Sequence, residues 1–468
     1  MSAWAIRLQG AARYWGWLLL LALAPFFIFI YPVTAPILLV VPVLLAMMWV
    51  PLASATGSAR PARSTPLDWA LLLLALMVLV SLWATFSIAY SLPKIAGIVF
   101  GLGLFYSAVA RGQASSGGWI AMAGVYLTLG AGVAGIGLLG TRWSAKIPVL
   151  GSVATRLPGS LIILAGVENG LQPNEVAGVL LWVAPVAAAL AVALWLHFDT
   201  LAKAHGRATI LAVAAAITLV AVGVGAVLAL TQSRSALFAL ALAVLVMLLL
   251  AGHRARRSVW AMLGVGALVG VALFGRQLQA LYDYAGSGPV TSPEPGLLFA
   301  SLDQRVEIWS RAIDGIEDFP FTGMGLNTFR KLVFVLYPLS LEGPEVDLGH
   351  AHNIWLQVSL DLGLPGLVAY LAIWFSALAM LAQAVRCAAP DAPLLRAMAV
   401  GLLGALVGSF GYGLTDAVSL GARPGFLWWL LLSLAVLVWL RSQSMPGAPH
   451  APAGRAQPIN RREGMRWK

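Results

Sequence analysis

Apolar residues along this chain fall into blocks of about 17 to 25, the length an α-helix needs to cross the hydrocarbon core of a bilayer. About 12 blocks meet that measure. They run over 15–31, 33–51, 67–86, 92–110, 118–140, 174–196, 208–230, 235–252, 259–275, 354–385, 397–414 and 425–440. Only Pro32 separates the first two, which predicts a helical hairpin there. The tenth block exceeds one span, so its first half is expected to lie along the membrane surface. The blocks predict an all-α integral membrane protein.

Two stretches interrupt the pattern. The first, about 141–173, carries Arg142, Lys146, Arg156 and Glu168 and ends at Gln172-Pro173-Asn174-Glu175, which opens the sixth span. The second, 276–351, is the large hydrophilic region. It begins with the turn-rich GSGPVTSPEPG at 286–296. Ser301 and Gln304 then form a capping-box pattern, and Arg305, Trp309 and Ala312 share a face at helical spacing. The helix is expected to end before Pro320, with a turn over Phe321-Thr322-Gly323-Met324-Gly325 and a second amphipathic piece over about 327–337. The chain therefore divides into spans 1–9 with short loops (1–275), a loop domain (276–351), spans 10–12 (352–441) and a tail rich in Pro, Gly, Ala and base (442–468), expected to be disordered.

Composition agrees with the pattern: 60% of residues are hydrophobic and only 10% charged, and mean hydropathy is +0.88. A single cysteine, Cys387, excludes an intrachain disulfide framework. The net charge of +11 does not signal nucleic acid, because most Lys and Arg sit in short loops between apolar runs. Placed on about 12 spans, those loops and the tail fall on one side, which the positive-inside rule makes the cytoplasm, with both termini there. Arg7 and Arg13 precede a first span rather than a cleavable leader, since no small-residue cleavage site follows.

The chemistry lies on the other side. In His350-Ala351-His352-Asn353 two imidazoles stand at the edge of an apolar segment. His352 begins the tenth helix, whose N-terminus disfavours added positive charge and would keep the ring neutral, ready to accept a proton. The plain alternative is an interfacial histidine capping a helix. His350, two residues away, would not share a helical face with it and is secondary. Arg234, in Thr231-Gln232-Ser233-Arg234-Ser235, is costly between two apolar helices unless it meets a cavity or an anion; guanidinium suits phosphate. A snorkelling arginine is the alternative. Arg305 stands on the external helix with Glu307, Trp309 and Arg311, where a solvated face with local ion pairs is the alternative. The loop holds ten of the chain's 18 carboxylates, so it is no broad basic patch. Asp416 could orient the histidine, pair with an arginine or simply end a helix. Asn174 and Pro173 read as a helix start. Asp, Glu and His are not clustered along the sequence at metal-ligand spacing.

Taken together, His352-Asn353 followed by Gly363 and Gly366, Thr231–Ser235 opening a span, Arg305 and Trp309 ahead of Pro320–Gly325, and Pro173-Asn174 opening another span resemble the O-antigen ligase and polymerase superfamily. The resemblance covers about 170 to 420 by motif and the whole chain by topology. It implies a metal-independent, cofactor-free glycosyltransferase of GT-C-like membrane architecture in the bacterial inner membrane, with a long, partly helical periplasmic loop. The donor would be an undecaprenyl-diphosphate-linked O-antigen glycan at the periplasmic face. The acceptor of the ligase branch would be a sugar hydroxyl of lipid A–core oligosaccharide. Carried over by motif, His352 is the general base and Arg234 and Arg305 bind the diphosphate, with Asp416, Asn353, His350 and Arg311 as supporting residues. The partners implied are those lipid-linked substrates and membrane lipids. The rival within the superfamily is an O-antigen polymerase. The rival from another class, a lipid or solute transporter, would place ionisable residues inside its spans; here they are almost confined to Asp68 and Asp361.

Overall fold

The structure is a computed structural model that describes residues 64–113, 117–158, 160–163, 170–251, 297–340, 343, 348–389 and 391–445. The expected spans at 15–31, 33–51 and 259–275, the turn-rich 286–296 and the tail after 445 lie outside the described residues. Those described form helices α1 (Asp68–Ala84), α2 (Ile88–Gln113), α3 (Gly118–Gly140), α4 (Pro148–Ala154), α5 (Pro173–Leu196), α6 (Phe198–His205), α7 (Arg207–Leu230), α8 (Arg234–Leu250), α9 (Leu297–Asp318), α10 (Phe329–Leu336), α11 (Ile354–Cys387), α12 (Pro393–Gly413) and α13 (Phe426–Gln443). Seven of these are long and apolar enough to cross a membrane, and α1 and α8 are shorter apolar helices. This is a multi-pass helical membrane protein, and each expected span that falls on described residues is a helix.

Local chemistry sets the ends. At the start of α1, Thr65 donates from its backbone N–H and its hydroxyl to the Asp68 carboxylate, at 2.8 and 2.6 Å, which satisfies a first-turn donor. That accounts for a carboxylate at the edge of a span. Pro173 opens α5 at a position where its missing N–H costs nothing. Helix α5 is buried along nearly its whole length and packs on α12, α7 and α8 at the centre of the bundle. Helix α12 approaches α8 closely at Gly408, where a Cβ would come within 2.8 Å of the Ala239 carbonyl; small residues at such contacts are how helices gain packing energy without a hydrophobic drive between them.

Helix α11 is not one continuous rod. At Gly363 the backbone adopts φ 70° and ψ 176° and the helix breaks. The turn after α9 closes the break: Met324 N–H donates to the Leu360 carbonyl at 2.7 Å, and Leu364 N–H to the Pro320 carbonyl at 2.7 Å. The groups orphaned by the break are thus satisfied inside the protein, as a membrane environment demands. A Cβ on Gly363 would lie 2.6 Å from the Phe321 carbonyl carbon, and one on Gly323 would lie 2.6 Å from Gly363 N, so both positions need glycine. Gln357 to Gly363, at the end of the first half of α11, are buried in protein, and the turn after α9 packs over them.

Helices α9 and α10 form a second small core with that half of α11. Ile308 and Ala312 of α9, Met324, Phe329 and Val333, Leu348, Ala351 and Leu360 are buried together. Ala351, between the two histidines, belongs to this cluster, so the packing of α9 and α10 fixes the histidine loop. Helix α9 begins at Leu297, ahead of the expected capping box at Ser301. Beneath the loop lies a buried aromatic column. Trp355 meets Phe410 with ring centroids at 4.4 Å, and Trp374 meets Trp428 at 4.6 Å.

Candidate active site

The loop before α11 takes its shape from local hydrogen bonds. Gly349 and His352 have positive φ, at 68° and 48°. Asn353 caps α11, its side-chain oxygen accepting from the Trp355 and Leu356 N–H groups at 2.9 and 3.1 Å, while its amide donates to the Leu414 carbonyl at 3.0 Å. Ala351 N–H donates to Gln357 Oε1 at 2.8 Å, and Gln357 Nε2 donates to Asp361 Oδ1 at 3.0 Å. Asp361 also accepts from Asn327 N–H at 3.1 Å. This carboxylate inside a span is therefore a structural anchor joining the turn before α10 to the histidine loop. The left-handed turn brings both rings to one side, with centroids 4.6 Å apart.

Both rings face Asp416, which follows α12 and is fully buried. His352 Nδ1 lies 3.3 Å from Asp416 Oδ1, and His350 Nε2 lies 3.8 Å from the same oxygen. Ala417 N–H donates to Oδ1 at 2.9 Å. The other oxygen accepts from Arg305 Nη2 at 3.3 Å and from Asn174 Nδ2 at 2.9 Å. Asn174 is fixed in turn by Tyr412, whose hydroxyl donates to its carbonyl at 2.7 Å. Trp309, one turn on from Arg305, donates to the His352 carbonyl at 3.4 Å. One carboxylate thus joins α5, α9, α12 and the histidine loop.

Burial alone would raise the Asp416 carboxyl. The hydrogen bond with His352, the electrostatic influence of the two histidines and the charge of Arg305 outweigh it and hold the group below the usual aspartate range. His350 is pushed down to about 3, first by burial and then by His352, against the pull of Asp416. His350 is thus a neutral ring through the physiological range. His352 is more open, with 29% of its side chain exposed. With Nδ1 turned to the carboxylate, its Nε2 is left to accept a proton, the arrangement by which a carboxylate orients a histidine base.

Arg234 opens α8 after the Thr231–Ser233 break. Lys146, in the loop after α3, joins it. Partial desolvation lowers the Lys146 ammonium, Arg234 and Arg305 lower it further, and Asp416 opposes them. Lys146 therefore lies within electrostatic reach of Arg234, Arg305 and Asp416. On the far side Glu175 Oε1 lies 4.0 Å from His350 Nε2.

Several residues stand differently from the sequence reading. His350 is not remote from His352: the helical-face argument fails because 350–352 is a turn and not helix. The helix N-terminus is not what meets the His352 ring, since Asn353 caps it and Asp416 faces the imidazole. Arg311 does not join the cluster; it pairs with Asp314 on its own helix at 3.2 Å. His350, His352 and Asp416 do gather in space, with ligand atoms within 4.8 Å of one another, though sequence spacing gave no metal-like grouping. The hydrogen bonds oppose a metal there. His352 N–H donates to His350 Nδ1 at 3.1 Å, which leaves the proton of a neutral His350 on Nε2, the atom nearest Asp416. The surrounding cations add to the cost. The sequence did not single out Lys146, Gln232 or Glu175, which the structure places near the cluster.

His350, His352, Arg305 and Asn174 thus gather around the buried Asp416 at one end of a bundle of apolar helices. Residues 219–371 match the family described as O-antigen ligase. That stretch holds Arg234, Arg305, His350 and His352, and the match supports membership of the O-antigen ligase/polymerase superfamily. Its members are glycosyltransferase-like enzymes of O-antigen and lipopolysaccharide biosynthesis, which work in the context of lipid-linked glycans and membrane lipid. No curated protein matches the chain.

Proposed function

We propose that the protein is an O-antigen ligase of GT-C-like architecture in the bacterial inner membrane, transferring glycan from undecaprenyl diphosphate to a sugar hydroxyl of lipid A–core oligosaccharide at the periplasmic face. The observation that carries this reading is the buried Asp416 shared by His352 on one oxygen and Arg305 on the other. His352 Nε2 takes the proton of the acceptor hydroxyl. That oxygen bonds to the anomeric carbon as the bond to the diphosphate oxygen breaks, with inversion. The leaving electron pair stays on the diphosphate, where Arg305 and Arg234 stabilise it, the kind of electrostatic help that is large in group transfer. Asp416 holds the His352 tautomer and stabilises the imidazolium that forms. The apolar bundle accommodates the polyprenyl tail.

Deletion of the gene followed by electrophoresis of lipopolysaccharide tests the assignment. Loss of all long-chain ladders with accumulation of lipid-linked polymer is the expected result. A single repeat capping the core would instead make the protein a polymerase. Full restoration of ladders by a His352→Ala variant would overturn the assigned base, and intact ladders in the deletion strain would overturn the function.

A further inference from the structure

The break between α7 and α8 presents more than Arg234. Gln232 stands there with φ 53°, a left-handed conformation that a side chain rarely adopts. It is 1% exposed. Its amide reaches across to the loop after α3. Oε1 accepts from both Lys146 N–H and Ile147 N–H, each at 2.7 Å, and Nε2 donates to the Ser144 carbonyl at 2.7 Å. One glutamine thus takes three backbone groups of a loop with little regular structure of its own, and it does so two residues before Arg234. The backbone strain persists because these bonds over-determine it. The neighbouring Ser233 hydroxyl is buried with no hydrogen-bond partner among the described residues.

The charge balance points the same way. Lys146, Arg234 and Arg305 come from three separate parts of the chain, and Lys146 feels both arginines; Asp416, the carboxylate paired with Arg305, is already engaged by His352 and Asn174. Like charges gathered at the mouth of a low-dielectric bundle repel one another unless an anion joins them. A monoanionic phosphodiester would leave much of that charge unmatched; a diphosphate, with two phosphoryl groups to span, would not.

We propose that Lys146 is a third ligand of the donor diphosphate and that Gln232 is the positioning residue that sets it beside Arg234. This rests on the reading of the substrate as a lipid diphosphate. Lys146 supplies a mobile point charge that can follow the leaving group, whereas the arginines supply fixed forks. Because it adds charge for a second phosphoryl group, it favours diphosphate over monophosphate. After transfer it therefore slows escape of undecaprenyl diphosphate more than of undecaprenyl phosphate.

The test uses the full-length protein in nanodiscs, with undecaprenyl diphosphate and undecaprenyl phosphate as probes in a binding assay and lipid-linked glycan in a transfer assay. Lys146 is exposed, so Lys146→Ala is expected to fold. It should weaken undecaprenyl diphosphate binding about tenfold to a hundredfold, the loss of one charge-assisted contact, and weaken undecaprenyl phosphate much less. Lys146→Arg should restore most of the binding. In the transfer assay the KM for lipid-linked donor should rise with Lys146→Ala by about the same tenfold to hundredfold as the diphosphate Kd. Gln232→Leu should reproduce the Lys146→Ala selectivity loss together with a lowered melting temperature, since three backbone groups lose their partner, and its binding is therefore compared well below its own transition. If Lys146→Ala binds both lipids as wild type does while Arg234→Ala and Arg305→Ala lose the diphosphate, the proposal for Lys146 falls and the donor reading stands. If all three leave binding unchanged, the diphosphate reading itself falls.

Discussion

Replacing Asp416 with Asn keeps the shape of the side chain and removes its charge, and the surrounding donors dictate the consequence. Arg305 and Asn174 both donate to Oδ2, while Ala417 N–H and His352 Nδ1 meet Oδ1. An amide nitrogen at the Oδ2 position would face two obligate donors. At the Oδ1 position it faces one, the Ala417 N–H, together with a ring that can change tautomer. The amide therefore settles with nitrogen toward His352, and the ring answers by accepting at Nδ1 and carrying its proton on Nε2. A base in that tautomer cannot take a proton from the acceptor. Loss of an orienting carboxylate in such a pair costs about 10⁴ in turnover, so turnover should fall by about 10³- to 10⁴-fold. The orphaned Ala417 N–H should cost about 1–3 kcal/mol of stability. Donor binding should hold or tighten, because a negative charge has left a cationic site. Single-turnover transfer with lipid-linked donor in nanodiscs, alongside a direct binding measurement and a melting curve, reads all three quantities. Turnover within tenfold of wild type in a folded Asp416→Asn protein would refute the claim that Asp416 sets the His352 tautomer.

Two further outcomes follow from the same geometry. Gln357→Leu removes the acceptor of Ala351 N–H and the link to Asp361; turnover should fall about tenfold or more as the histidine turn loosens, with donor affinity nearly unchanged, and equal losses in both would show that the residue only supports the fold. Acid should destabilise the protein. His350 has a folded-state value of about 3 against 6.5 for the free side chain, so the unfolded chain binds the extra proton first; stability is intact above about 6.5 and declines as pH falls toward 3. Asp416, also depressed, adds to the loss at the acid end of that range. Melting temperatures in detergent across this window should drop less steeply for His350→Asn, and an unchanged slope would show that His350 is not the titrating group.

The spans among the described residues were legible in the sequence because each is a nearly unbroken apolar run, and hydrocarbon tolerates little else. The break at Gly363 was not, since the run continues through Leu362-Gly363-Leu364 and the turn that fills the gap comes from Pro320 to Met324, some forty residues earlier in the chain. Arg234, Arg305 and His352 stood out as costly residues beside apolar helices. Their common partner did not: Asp416 is 64 residues from His352 and 111 from Arg305, and an aspartate after a helix looks ordinary until packing buries it. His350 was demoted by a periodicity that holds only where the backbone is helical. Lys146 and Gln232 carried no local signal, because their connection is one of backbone to side chain across 86 residues.

The order in which the site's members appear along the chain has a consequence for biosynthesis. Lys146, Arg234 and Arg305 leave the ribosome before the histidines, and Asp416 follows after most of α11 and α12 have been made. A nascent chain caught between those points would carry Arg305 and both histidines without the carboxylate that joins them. The cluster is therefore completed only once the late helices have been inserted and have docked.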